Sequence, residues 1–115
     1  MKILKFNGVG AEKSKDGRFI YRYFDEPITK EGDNLVIIPV TIPSGIIEQE
    51  HYHEKVNEFI FFLTSGTSRV NGKNYDMHPY DILILDAKER HQIIAKDTDV
   101  KVIVIKKGIV DKVNC

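Results

Sequence analysis

The chain has 115 residues, with 17 Lys plus Arg against 17 Asp plus Glu and no net charge when histidine is neutral. A typical nucleic-acid binder clusters a basic excess on one face, and none exists here, so Lys106-Lys107 and the other lysines read as solvated surface. With 42% hydrophobic and 30% charged residues, the composition is that of one globular domain large enough to bury a core without disulfides.

The stretch up to Asp16 is the least patterned, and an edge strand around Ile3 to Phe6 is the one element expected there. Met1 to Lys5 is followed by no apolar signal-peptide core. No run of apolar residues reaches the length needed to span a bilayer, so no membrane role is expected. Cys115 is the only cysteine, and an unpaired thiol suits a cytoplasmic protein. Gly8-Val9-Gly10 lacks the rest of a dinucleotide fingerprint. The high Lys, Glu and Ile content without Trp hints at a thermophilic or AT-rich source.

From Arg18 onward, short runs of β-branched and aromatic residues alternate with turn formers. Strands are expected over Arg18 to Phe24, Leu35 to Ile42, Glu58 to Thr64, Asp81 to Leu85, His91 to Lys96 and Val100 to Lys106. Between them stand Gly32-Asp33-Asn34, Pro43-Ser44-Gly45, Ser65-Gly66, Asn71-Gly72 and Asp97-Thr98-Asp99. Asn71-Gly72 is the strongest turn signal, because both central residues of a type I′ turn need positive φ. Thr67 to Val70 and Lys73 to Asp76 should therefore pair. No long segment has helical periodicity, so the fold class is all-β, an antiparallel sandwich or barrel. The expected organisation is an arm with edge strands over 1–34, a barrel core over 35–107 and a tail over 108–115.

Three of the four histidines carry chemistry. His51 and His53 lie two apart in extended chain, so both side chains point to one face. Glu58 opens the next strand after a short turn, and His91 opens a later one. Three imidazoles and a carboxylate suit iron, manganese, nickel, cobalt, copper or zinc, and leave positions open for water or substrate. The plainer alternatives are an exposed histidine pair on an edge strand and Glu58 as a surface acid. His78, before Pro79 in a turn, reads as an ordinary surface residue.

Gly45, five residues, His51-Tyr52-His53, four residues, Glu58 and then Gly66 resemble the first cupin motif, G-x5-H-x-H-x3–4-E-x6-G, with one extra residue before the closing glycine. The second motif, G-x5-P-x-G-x2-H-x3-N, falls by spacing on Tyr80, Asp86, Lys88, His91 and Ala95, where His91 alone keeps the family residue. Asp81 stands where many cupins carry the acid of a Gly-Asp turn. The resemblance covers roughly Leu35 to Ile105. It implies a jelly-roll barrel (a double-stranded β-helix), a metal held by His51, His53, His91 and Glu58, and a homodimer. The altered second motif places Asp86, Lys88, Glu89 and Arg90 near the expected pocket mouth.

Strand parity extends this picture. If Glu58 faces inward, Ile60, Phe62 and Thr64 share its face. Phe59, Phe61 and Leu63 then point outward, where a second sheet or a second subunit is expected to cover them. Ile47 and Gln49 share the face of His51 and His53, and Ile93 that of His91. Gln49 is thus the polar group expected to meet a ligand or metal-bound water. Tyr21 and Tyr23 are expected to pack rather than bind. The leading functional reading is a metal-dependent enzyme acting on a small organic molecule as dioxygenase, isomerase or lyase, with Glu58 as ligand or base. The alternative is a non-catalytic domain that binds or senses a metal or metabolite. Structural zinc is disfavoured, since no cysteine lies near the histidines.

Overall fold

The runs of β-branched and aromatic residues become strands throughout the computed structural model, which describes residues 1–22, 24–27, 34–108 and 113–114 and contains no helix among them. In chain order the strands are β1 (Glu12–Lys13), β2 (Phe19–Ile20), β3 (Phe24–Pro27), β4 (Asn34–Ile42), β5 (Tyr52–His53), β6 (Asn57–Phe62), β7 (Gly66–Val70), β8 (Lys73–Met77), β9 (Ile82–Leu85), β10 (His91–Ile94), β11 (Val100–Gly108) and β12 (Val113–Asn114). No strand forms at Ile3 to Phe6, where Phe6 instead packs on Tyr21 with ring centroids 5.1 Å apart. The strand expected over Arg18 to Phe24 ends at Ile20. Tyr23, Gly32, Asp33 and Cys115, each part of an expectation above, lie outside the described residues.

The strands form an antiparallel jelly roll. One sheet runs β1-β2-β4-β11-β6-β9, with β3 also on β4; a second runs β10-β7-β8, and β12 pairs β5. The sheets are anchored on β4 and β11, which pair along their whole length from Asn34↔Gly108 to Ile42↔Val100. Asn71 (φ 48°) and Gly72 (φ 81°) both turn left-handed, as a type I′ turn requires, and set the β7–β8 register from Val70↔Lys73 to Gly66↔Met77.

Between the sheets lies a core of alternate residues: Ile38, Val40 and Ile42 from β4, Ile60 and Phe62 from β6, Val102 from β11 and Ile93 from β10. Fully burying each such side chain stabilises the fold by about 1.5–3 kcal/mol. Gly66 is required here by packing rather than by φ. A Cβ at that position would lie 2.9 Å from Val100 Cγ1, on a side chain that is itself fully buried.

The outward parity of β6 is as expected, but no second sheet of the described chain closes over it. Phe59 lies between Ile105 and Ile84, and Phe61 between Ile103 and Ile82. Leu63, Ile82 and Ile84 are 42%, 52% and 61% exposed. Among the described residues no helix is long and apolar enough to cross a membrane.

Candidate metal centre

The inner face of this barrel carries the polar exceptions to an apolar core. His51, His53, Glu58 and His91 are all buried. His51, His53 and Glu58 each offer a ligand atom, and those atoms lie within 4.8 Å of one another. His91 stands beside this trio, its Nε2 2.9 Å from Glu58 Oε1, while His53 Nε2 is 3.3 Å from Glu58 Oε2. The His51 and His91 rings are 4.3 Å apart at their centroids. His78, the fourth histidine, lies on the surface, its side chain 74% exposed and its Nδ1 3.6 Å from Asp81.

Backbone pairing explains the convergence. His51 and His91 are directly opposed, each donating its N–H to the other's carbonyl, at 3.0 and 2.9 Å. Each ring is then held by the carbonyl two residues earlier. His51 Nδ1 lies 2.9 Å from Gln49 O, and His91 Nδ1 lies 3.0 Å from Glu89 O. A carbonyl can only accept, so Nδ1 carries the proton and Nε2 of the neutral ring presents its lone pair. This is the arrangement that orients metal-ligating histidines.

The charges reinforce it. Burial, followed by the neighbouring His91, pushes the His51 pKa down to about 4, so the ring is neutral and able to ligate near neutral pH. Burial would raise Glu58, but the His53 and His91 rings and then Lys106 outweigh it and hold the carboxylate well below its usual range. For His91, burial acts downward, and the adjacent Glu58 carboxylate more than reverses it. His91 Nε2 is buried and makes no well-aligned hydrogen bond despite its short approach to Glu58. A lone pair facing a carboxylate oxygen at that distance needs a proton or a cation between them. The raised His91 pKa lets a proton fill that role, and the donor set of His51, His53 and Glu58 also fits a divalent metal.

The segment before His51 departs from the expected parity. Ile47 bridges Ile94 and His51 bridges His91, so four steps on one strand oppose three on the other. One residue is extra, a β-bulge, and it shifts which side chain faces in. Ile47 is 56% exposed and Gln49 is exposed at the cavity edge, while Glu48 is buried at 5% exposure. Ile93 is inward as expected, at 2% exposure. Glu48 fills the gap in the ladder: its N–H donates to Ile93 O (2.9 Å), and its Oε1 accepts from Ile93 N (3.1 Å). The Gln92 side chain donates to Glu48 O at 2.9 Å.

Glu48 is in turn held by Arg18, whose Nη1 is 2.6 Å from Glu48 Oε2 and whose Nε bonds both Asp16 oxygens at 2.8 and 3.0 Å. Asp16 also accepts from Gln49 N at 2.8 Å and from the Ser14 hydroxyl. Burial raises Glu48 to about 7, an increase that Arg18 opposes. The sequence reading missed Glu48 and Arg18. Their only local signal was a glutamate among apolar residues, and its meaning depended on a bulge.

The expected charged rim is also redistributed. Tyr80 and Lys88, at two glycine positions of the second motif, keep left-handed backbone at φ 73° each, so the loop retains that shape without glycine. Asp86, at the proline position, uses its N–H to donate to Glu89 Oε1 at 2.9 Å, which proline cannot do. Arg90 turns to Glu50, 3.1 Å away, and lies over the Tyr52 ring. None of these residues lines the internal cavity. That cavity, of about 130 Å³, meets the site at His51 and Glu58, and its charged lining is Arg18, Arg22, Lys106, Glu48 and Glu58.

No protein-family model matches the chain, and no curated protein matches it in sequence. Solved structures do match. The polyketide cyclase RemF from Streptomyces resistomycificus has a TM-score of 0.80 at 17% identity, covering 99% of this chain and 84% of that one. A predicted oxalate decarboxylase from Thermotoga maritima has a TM-score of 0.78 at 18% identity, covering 94% and 100%. Rru_A2000 from Rhodospirillum rubrum, a cupin-2 domain, has a TM-score of 0.79 at 15% identity, covering 98% and 78%. With its antiparallel jelly roll and these likenesses, the chain has the fold of a small cupin.

Proposed function

We propose that the protein is a metal-dependent enzyme acting on a small organic molecule, with His51, His53 and His91 as ligands and Glu58 as a fourth ligand or a base. The observation that carries this reading is the pair of histidines anchored through Nδ1 and gathered with His53 around a buried carboxylate at the edge of a cavity. A divalent transition metal supplies Lewis acidity, or a place where substrate or O₂ binds. The chain's own contribution is to fix the rings, keep Glu58 ionised and set an apolar wall beside the site. Two of the similar structures carry enzyme names, a cyclase and a predicted decarboxylase, which agrees with catalysis. The reading extends to dioxygenase, isomerase or lyase chemistry.

The test is metal content of untagged protein. Wild type should hold close to one iron, manganese or similar ion per chain. His53→Ala should weaken binding by more than about a hundredfold, since even changes to outer-shell partners cost about ten- to a hundredfold. A wild-type protein that stays metal-free after reconstitution would overturn the reading.

The same proposal places the protein in the cytoplasm as a homodimer. The open apolar face of Phe59, Phe61, Leu63, Ile82 and Ile84 supports the dimer, because contiguous exposed apolar surface marks interfaces. Sedimentation should give twice the chain mass at micromolar concentration and monomer for Ile84→Lys. A monomeric wild type would count against it.

A further inference from the structure

The internal cavity has a wall of Ile38, Val40, Ile60, Ile93, Val102 and Val104. At about 130 Å³ it falls below the roughly 300–1,000 Å³ of sites for drug-sized ligands, so its occupant is small. Its charged lining comprises three cations (Arg18, Arg22, Lys106) and two carboxylates (Glu48, Glu58), and both arginines have further carboxylate partners outside that lining. Arg18 is engaged twice, by Glu48 and Asp16. Arg22 pairs through Nε with Glu12 in an exposed contact of 3.0 Å.

Lys106 is different. It sits on the inward face of β11 with Val102 and Val104, opposite Glu58, and its side chain is only 24% exposed. Among the described residues its acidic neighbour is Glu58, at 3.7 Å. That is long for a charge-assisted hydrogen bond, which falls near 2.7–2.9 Å. Both Glu58 oxygens already face histidine nitrogens, so Lys106 is a weakly satisfied ammonium on the cavity wall. A divalent ion at the histidines would add two further positive charges to a partly buried cavity, where uncompensated charge is costly.

From the loosely held Lys106 and the charge that a metal would add, we infer that the cavity binds a small carboxylate with an apolar body, its anionic group lying between the metal site and Lys106. The inference rests on the metal reading above and narrows its substrate class. Lys106 is then a specificity residue, selecting the acid over its neutral analogues.

The experiment uses the full chain loaded with manganese(II), into which 2-hydroxy-3-methylbutanoate and its neutral amide are titrated by calorimetry. The acid should bind at least about tenfold more tightly than the amide, the scale of a hydrogen bond to a charged group. Lys106→Met keeps the apolar stem, should still bind one manganese, and should lose most of this preference. Lys106→Arg should retain it. An acid that fails to bind the loaded protein, an amide that binds as tightly, or a preference intact in Lys106→Met overturns the inference while the metal reading stands. Failure of the wild type to bind manganese overturns the metal reading, and the inference with it.

Discussion

The two segments that deliver His51 and His91 reach the same local result by opposite means. In both, the imidazole Nδ1 is tied to the carbonyl two residues earlier, and the two backbones are hydrogen-bonded face to face. Before His51, the chain is bulged and pinned by distant side chains, with Glu48 clamped by Arg18 and Gln49 N held by Asp16. Before His91, the chain is held by hydrogen bonds of its N–H and C=O groups, to residues near and far. Lys88 takes a left-handed turn and donates its N–H to His53 O, and Asp86 closes on Glu89. One arm therefore depends on a buried side-chain clamp and the other on backbone conformation and backbone hydrogen bonds, so the two should fail differently.

The largest expected effect is on the first arm. Glu48→Ala removes one of the two carboxylates that hold the Arg18 guanidinium and leaves Ile93 N–H without its side-chain acceptor. Losing a hydrogen bond to a charged group or leaving a buried donor unsatisfied costs about 1–3 kcal/mol. Urea unfolding should show a loss of that order, with weakened metal binding because His51 follows the bulge. Glu48→Gln, which keeps an acceptor for Ile93 N–H and a neutral partner for Arg18, should lose less than Glu48→Ala. Equal losses in the two variants would show that these contacts do not organise the arm.

A smaller effect, with a pH signature, is expected at Asp16. Burial would raise its carboxyl, but hydrogen bonds from Arg18, Ser14 and Gln49 outweigh it and bring the value from 3.8 to about 2. A depressed carboxylate stabilises the folded state above its unfolded value and loses that contribution as pH falls through the folded one. Wild type should therefore exceed Asp16→Asn by about 1–2 kcal/mol at neutral pH. The gap should close on acidification from 3.8 toward 2. A gap that stays constant down to the lower value would remove Asp16 as an ionised clamp.

The smallest effect belongs to the second arm and has the opposite sign. A left-handed non-glycine residue costs about 1–2 kcal/mol, partly offset in glycine by chain entropy. Lys88→Gly should raise stability by about 0.5–1 kcal/mol, a few degrees in thermal midpoint, and leave metal binding unchanged. Destabilisation would mean that the lysine side chain contributes more than its backbone strain costs.

Much of this architecture was legible locally. The Asn71-Gly72 turn followed from the positive φ that type I′ geometry demands, and the two faces of β6 followed from period-two alternation once Glu58 was placed inward. Residues 1–22 were less legible. Their strands are two residues each, β1 pairing β2 and β2 pairing the distant β4, so weak propensity alone could not place them.

By itself, then, the sequence determined an antiparallel all-β chain and the spacing of His51, His53, Glu58 and His91, because turn chemistry and strand parity act over a few residues. Only the tertiary structure decided that Glu48 rather than Gln49 turns inward. That choice depends on how many residues β10 sets against the segment from Ile47 to His51, a count no local pattern contains. It also brought Arg18 to Glu48 and Lys106 to Glu58, contacts spanning 30 residues in the first case and crossing from β11 to β6 in the second. Charges that look like solvated surface in sequence become the lining of a cavity when a closed barrel leaves them no other face.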